Sequence, residues 1–241
     1  MDQPTADRLL EINNQFYQTF ALQFSATRQR LQPGVKRILA TLPLEGALLD
    51  LGCGNGELAR ELARRNFRGA YFGIDASPGL LAEAQRHSIQ EFSAIFLQAD
   101  LAAPGWEAAL PRRVFNTVTA FAVLHHLPGK ALRLGVLKPV RRLLSTEGRF
   151  IHSEWQFLNS PRLAARILPW ERAGLTAEQV DPGDYLLDWK GGGYGLRYVH
   201  SFTEQELLDL AVEAGFHILE TFYSDGEGGR LSAYQIWQAS N

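Results

Sequence analysis

The sequence predicts an α/β fold: a mostly parallel, seven-stranded sheet with helices on both faces, closed by an antiparallel C-terminal hairpin. Three observations carry this. Between residues 47 and 157, short apolar runs alternate with helix-patterned stretches, as expected of a parallel sheet covered on both sides. One run leads into glycines at 52, 54 and 56 and then into a helix, a strand–turn–helix unit. The chain ends in a helix and two strand-like runs, 217–223 and 231–238, joined by the tight connection Ser-Asp-Gly-Glu-Gly-Gly.

The elements follow in order. From residue 7 to 22, Leu9, Leu10, Ile12, Phe16, Tyr17 and Phe20 recur at spacings near three and four, the pattern of an amphipathic helix. Pro33 suits the first turn of a second helix. Strands are expected at 47–51, 70–74, 94–97, 114–121 and 149–157, and helices at 57–65, 78–87 and 131–144, with Pro139 bending or offsetting the last. Thr203 and Glu206 form a capping box that opens a helix over 203–214. Residues 158–202 are too many for an ordinary strand-to-helix connection and read as an insertion or lid. The chain is therefore expected to be one unit over 1–241: a helical cap (1–45), a core (46–157), the insertion (158–202) and the closing helix and hairpin (203–241).

Composition narrows the class. With 24 basic and 26 acidic residues, the net charge of −2 gives no global field for a polyanion, although a local patch can serve. The single Cys53 excludes an intramolecular disulfide and a cysteine-based zinc site, so a reducing cytoplasm is the expected compartment and no metal site is expected. Residues 1–20 lack a signal-peptide pattern, and no window approaches the ~20 apolar residues of a membrane span.

The strongest chemical signal is ALLDLGCGNGELA at 47–59. Glycines after a strand let the backbone turn tightly and let a ligand approach without meeting a Cβ. Asp50, Asp75 and Asp100 each stand at or just past the end of successive strands, the edge where ligands bind in open α/β sheets. A carboxylate at 75 can accept both hydrogen bonds of a ribose diol, and one at 100 can accept from an adenine amino group. Taken singly, Asp75 and Asp100 read equally well as caps of the helices that follow; with the glycine loop, the cofactor reading prevails.

Asp50-Leu51-Gly52-Cys53-Gly54-Asn55-Gly56, with Asp75 and Asp100 behind it, resembles the S-adenosyl-L-methionine site of Rossmann-like class I methyltransferases over residues 46–157 and again in the C-terminal hairpin. The resemblance implies that Gly52, Cys53, Gly54 and Gly56 face the methionine part, Asp75 with Ala76 the ribose, and Asp100 with Leu101 the adenine, with Phe121 lining the site. A nicotinamide fingerprint would place its third glycine where Glu57 stands.

The fourth strand ends in NTVTAFAVLHHL, with no Asn/Asp-Pro-Pro-aromatic element, which disfavours adenine or glutamine N-methylation. Cys53 reads as a small packing residue rather than a nucleophile. His125 and His126 are adjacent, so only one is expected to face the reaction centre, His125 being preferred. A carboxylate acceptor needs no general base, whereas a hydroxyl would need one, and His125 is the candidate.

Two flanks and the fourth-strand loop narrow the resemblance. FYQTFALQFSATRQRLQPG at 16–34, VLHHL, and Leu196-Arg197-Tyr198-Val199-His200 are similar to segments of the tRNA wobble-uridine carboxymethyl methyltransferases, from which Gln32 departs in place of an aromatic. This implies O-methylation of a carboxymethyl group, with Arg197, Tyr198 and His200 at the acceptor. Eukaryotic members of that family depend on a small zinc-binding partner; no surface for a protein partner is evident in this sequence. Arg28 is a candidate for the methionine carboxylate, and Tyr17 reads as a core residue or a lid over the cofactor. The alternative is a small-molecule acceptor under an aromatic lid of Trp155, Trp170, Tyr185 and Trp189, favoured by an enclosed pocket without a basic rim. A third reading is a non-catalytic cofactor-binding module. In KGGGYGLRYVHSF (190–202), extended backbone puts Tyr198 and His200 on one face and Arg197 on the other, with the glycines as the hinge of a cover.

Overall fold

Seven strands form the central sheet of the computed structural model, which describes all residues except 28–29, 87–88, 112–113, 192 and 241. In chain order the elements are α1 (Gln3–Thr27), α2 (Pro33–Thr41), β1 (Ala47–Leu51), α3 (Glu57–Arg64), β2 (Ala70–Asp75), α4 (Pro78–Arg86), β3 (Ser93–Gln98), β4 (Phe115–Phe121), α5 (Gly129–Leu143) and β5 (Leu144–Trp155). They continue with α6 (Pro161–Ala164), β6 (Ile167–Leu168), β7 (Asp184–Trp189), β8 (Gly195–His200), α7 (Glu204–Glu213), β9 (Phe216–Ser224) and β10 (Ser232–Ala239).

The strand order is β3-β2-β1-β4-β5-β10-β9. β1 to β5 are parallel, and β10 runs antiparallel to both β5 and β9. The fold class is the one predicted. The order reverses at β1, which pairs with β2 on one side and β4 on the other, and a crevice opens at such a switch point beyond the strand ends.

β1 is buried at every position, because helices cover both sheet faces. On one face Leu49, Val118, Phe150 and Trp237 pack under Val136, Leu137 and Val140 of α5 and Leu207 and Leu210 of α7. On the other, Leu48, Tyr71, Ile151 and Tyr234 pack under Val35, Ile38 and Leu39 of α2 and Leu58 and Leu62 of α3. The capping box of α7 forms as the sequence indicates, Thr203 accepting from the Glu206 amide while Glu206 reaches back. α5 begins at Gly129 and runs through the buried Pro139. No helix among the described residues is long and apolar enough to cross a membrane.

The insertion is where sequence and structure part. It contains a second, antiparallel sheet in the order β6-β7-β8, of which only the last strand is legible in the sequence. α1 packs on it: Leu9 and Ile12 join Leu186 and Tyr198 in a separate buried cluster. Of the glycines expected as a hinge, Gly192 lies outside the described residues, and a Cβ at Gly193 would lie 2.8 Å from Phe20 Cε1. A Cβ at Gly195 would lie 2.7 Å from Phe20 Cε2, so the glycine lets α1 seat directly on the β7–β8 hairpin.

Candidate functional site

A cavity of about 720 Å³ opens at the switch point, between the ends of β1, β2 and β4, the start of the closing hairpin, α1 and the insertion. The glycine loop forms its floor. Gly52, Gly54 and Gly56 have φ of 67°, 56° and 78°, left-handed values that glycine adopts without a Cβ penalty. Gly54 has nothing within 4 Å of the position a Cβ would take, so the main chain there is open to a ligand.

Asp75 ends β2, and its two oxygens accept from Gly54 N (2.9 Å) and Ser77 N (2.8 Å), which ties the glycine loop to the next strand. Ser77, not Asp75, caps α4, its hydroxyl accepting from Leu80 N. Burial raises the Asp75 carboxyl above its ordinary value, against the opposing amides of Ser77 and Gly54. Asp50 accepts from Tyr71 Oη (2.6 Å) and Thr119 Oγ1 (2.7 Å), and burial pushes it up to about 6 in spite of both bonds. Asp100 is exposed at the rim and accepts from Ala102 N. Ala76, Leu101, Phe121 and Tyr17 also line the cavity. Arg28 lies outside the described residues.

Cys53 is buried against Gly73, and burial pushes its thiol well up, with Asp50 and Asp75 adding to the effect. That is the environment of a packing residue. A Cβ at position 73 would sit 2.8 Å from Cys53 Sγ and 2.9 Å from its Cβ. Gly73→Ala should therefore displace the loop, destabilising the protein by about 1 to 3 kcal/mol and weakening S-adenosylhomocysteine binding in a calorimetric titration.

β4 ends in a turn at Ala122, a non-glycine residue at φ 59° whose amide donates to Ser153 Oγ and to the Ser153 carbonyl. Such a residue costs about 1 kcal/mol or more and marks an over-determined site. The short helical turn Leu124–His126 follows, and it brings both histidines to the cavity. The expectation that only one would face it fails because the turn is neither strand nor regular helix; the rings lie 4.4 Å apart. Glu154 Oε2 accepts from His125 N (3.1 Å) and meets His125 Nδ1 at 2.9 Å, while Glu154 Oε1 meets His152 Nδ1 at 2.9 Å. Burial would raise the Glu154 carboxyl, but His125 and His152 outweigh it and hold it below the usual glutamate range. With the carboxylate ionised, His125 Nδ1 carries the proton, and the longer 3.3 Å approach of Trp155 N to that nitrogen is a contact rather than its main bond.

His126 stitches three segments together. Its ring meets Tyr17 Oη at 2.9 Å and the Tyr198 carbonyl at 3.2 Å, and its own carbonyl accepts from Asn13 Nδ2. Asn13 Oδ1 in turn accepts from Tyr198 N. The Tyr198 main chain thus holds His126 and Asn13, while its side chain lies outside the cavity lining.

The alternation expected along β8 holds, with the opposite face toward the site. Tyr198 Oη and His200 Nδ1 both reach Asp184 Oδ1 at 2.7 Å, away from the cavity lining, and His200 Nε2 meets Glu206. Tyr198 and His200 therefore do not point into the site. Arg197 does: it is 8% exposed, lines the cavity, and lies over the rings of Trp155 (4.7 Å) and Phe16 (5.6 Å). Of the aromatic residues expected in a lid, Trp155 and Trp189 line the cavity, while Tyr185 packs on Phe157 and Trp170 against the cluster under α1.

The lining also includes Glu154's neighbour Ser153, Asp225, Arg162 and Arg166, none of which the sequence singled out. Asp225 sits at φ 72° in the hairpin turn and accepts from Gly34 N and Tyr234 Oη, fastening α2 to the hairpin. For Glu154 a signal existed: in IHSEW, His152 and Glu154 alternate onto one face of a strand otherwise filled by Phe150.

S-adenosylmethionine, which carries a sulfonium, an ammonium and a ribose diol, fits these residues. The carboxylates of Asp50, Asp75, Asp100 and Asp225 give the core side of the cavity a negative character suited to its cations, and the open backbone at Gly54 leaves room for it.

Comparison with known proteins agrees. The profile of a family described as methyltransferase domain matches residues 24–221. An uncharacterized methyltransferase of Schizosaccharomyces pombe is 31% identical over 193 residues, covering 74% of this chain and 69% of the relative. A tRNA (carboxymethyluridine(34)-5-O)-methyltransferase of the same organism is 27% identical over 230 residues, 88% of this chain and 92% of its own length. Among solved structures, a SAM-dependent methyltransferase from Methanosarcina mazei superposes with a TM-score of 0.65 at 22% identity, covering 87% of this chain and 98% of the other.

Proposed function

The chain belongs to the methyltransferase-domain family and is an S-adenosylmethionine-dependent methyltransferase, and from that premise we propose that it methylates a carboxylate oxygen, on a carboxymethyl group of a tRNA wobble uridine. The observation that carries this reading is Arg197, a buried guanidinium on the insertion side of the cavity, braced by Trp155 and Phe16. Guanidinium groups recognise carboxylates through paired, charge-assisted hydrogen bonds, and one held by aromatic rings is oriented before the acceptor arrives. The relative named for carboxymethyluridine in tRNA, matched along nearly its full length, points the same way.

The bound cofactor supplies an electrophilic methyl group. The chain's part is placement: Asp75 and the glycine loop hold one partner, and Arg197 orients the other. A carboxylate is already anionic, so no residue has to remove a proton. His125, clamped by Glu154 through both its amide and its ring, serves in this reading as a rigid wall beside the reacting groups. Trp155, Trp189 and Tyr17 narrow the space around them and exclude water.

Transfer of a labelled methyl group into tRNA, carboxymethyluridine nucleoside and the low-molecular-weight fraction of an extract tests the reading. An ester releases its label as volatile methanol in alkali. Arg197→Ala is expected to lower kcat/KM about tenfold to hundredfold, with unchanged affinity for S-adenosylhomocysteine. Alkali-stable label, or label confined to small molecules, would remove the carboxymethyl reading.

A further inference from the structure

Charges around the cavity are segregated by the segment that supplies them. Among the described residues, the lining carboxylates Asp50, Glu57, Asp75, Asp100 and Asp225 come from the core and the closing hairpin, and the lining arginines Arg30, Arg162, Arg166 and Arg197 from the N-terminal segment and the insertion. One side suits a cationic cofactor. The other is built for anions, and it has two depths.

Arg197 is buried, whereas Arg162 is exposed and Arg166 half-buried at the mouth. Arg162 lies on α6 and Arg166 on the turn that follows, where Ala165 N and Arg166 N still donate to Pro161 and Leu163 carbonyls. Leu163, between them, is buried in the cluster of Phe157, Leu187 and Val199, which anchors the turn. Arg166 is also fixed from the side, with Nε 2.8 Å from Asp188 Oδ1 and an Nη 2.7 Å from the Asp188 carbonyl. Those bonds use two of the five donors of a guanidinium. Arg162 has no hydrogen-bond or ion-pair partner among the described residues. Asp188 offsets the charge of Arg166, whereas the Arg162 guanidinium stands beside it with all its donors open to an anion at the mouth.

We propose that Arg162 and Arg166 form a phosphodiester subsite that holds the RNA backbone next to the nucleotide whose base enters the cavity. This rests on the RNA acceptor reading and extends it. Depth decides for a phosphodiester over a second carboxylate: a small diacid inside the cavity would need both cations at depth, whereas a polymer passing the mouth meets the exposed pair while its base reaches Arg197. Arg166, preorganised by Asp188, supplies paired donors for two phosphate oxygens; Arg162 closes on them from the solvent side.

The test is fluorescence anisotropy of a labelled short single-stranded RNA with the full chain and S-adenosylhomocysteine, across a salt series. Arg162→Ala should weaken binding about tenfold and reduce the slope of log K against log salt by about 0.7. Arg172→Ala, an exposed arginine of the same insertion outside the cavity, should change neither. With carboxymethyluridine nucleoside, which has no phosphate, Arg162→Ala should cost less of kcat/KM than it costs with RNA. Equal effects of the two substitutions on RNA, or no RNA binding by the wild type, would overturn the subsite. Arg162-dependent binding without methylation of carboxymethylated RNA would support the subsite and sink the acceptor reading; methylation of that RNA with no dependence on Arg162 would do the reverse.

Discussion

Asp75→Ala is expected to weaken S-adenosylhomocysteine binding by at least about hundredfold, measured by isothermal titration calorimetry. A carboxylate accepting two hydrogen bonds from a ribose diol contributes about 1.5 to 3 kcal/mol per bond, and each 1.4 kcal/mol is a factor of ten. The loss has a second source in this protein, because the same carboxylate receives the amides of Gly54 and Ser77. Its removal frees the glycine loop as well as the ligand. Asp75→Asn keeps one carbonyl acceptor and should fall between the two. Since burial raises the Asp75 carboxyl and the ionised form is the one that accepts both bonds, affinity should decline as pH drops through that raised value. Unchanged affinity in the alanine variant would mean that the ribose is held elsewhere.

Glu154→Ala should be the most destabilising single change around the site. It leaves two buried histidines, His125 and His152, without their shared acceptor, and a buried donor left without its acceptor costs about 1 to 3 kcal/mol, here twice over. For a chain of this length that is a fall in Tm on the order of 10 °C, readable by thermal denaturation. The pH dependence has a definite sign. The folded carboxyl titrates below its ordinary value, so its stabilisation is complete above the unfolded glutamate value of about 4.3 and fades as pH falls through the lower folded value. The gap in Tm between wild type and Glu154→Gln should be wide at neutral pH and narrow in acid; a gap that widened below pH about 4 would show that Glu154 is not held ionised.

The parts of the fold legible in the sequence are those whose cause is local. The strand before Gly52, the glycines themselves, the capping box at Thr203 and the closing hairpin each announce themselves within a few residues. Asp75 and Asp100 were legible as positions because parallel strands place their ends along one edge. The acceptor side was not. Period-two alternation separates Tyr198 and His200 from Arg197, but which face meets the cavity depends on where Asp184 and α1 pack, contacts spanning up to 185 positions. Arg162 and Arg166 look like surface charge in the sequence, and only the tertiary arrangement sets them at the cavity mouth. The paired histidines reach the cavity together for a smaller reason: the chain makes a single tight turn at 124–126 in place of a regular element.

The pair of hydrogen bonds made by the Asn13 side chain bears on how such a protein can diversify. One carboxamide donates to the His126 carbonyl and accepts from the Tyr198 amide, so the first helix splints the fourth-strand turn to the insertion at the main chain of both. Side chains on the insertion are then at liberty to drift while the splint keeps its geometry. Substrate choice can be rewritten on that scaffold, residue by residue, with the methyl donor's berth left untouched.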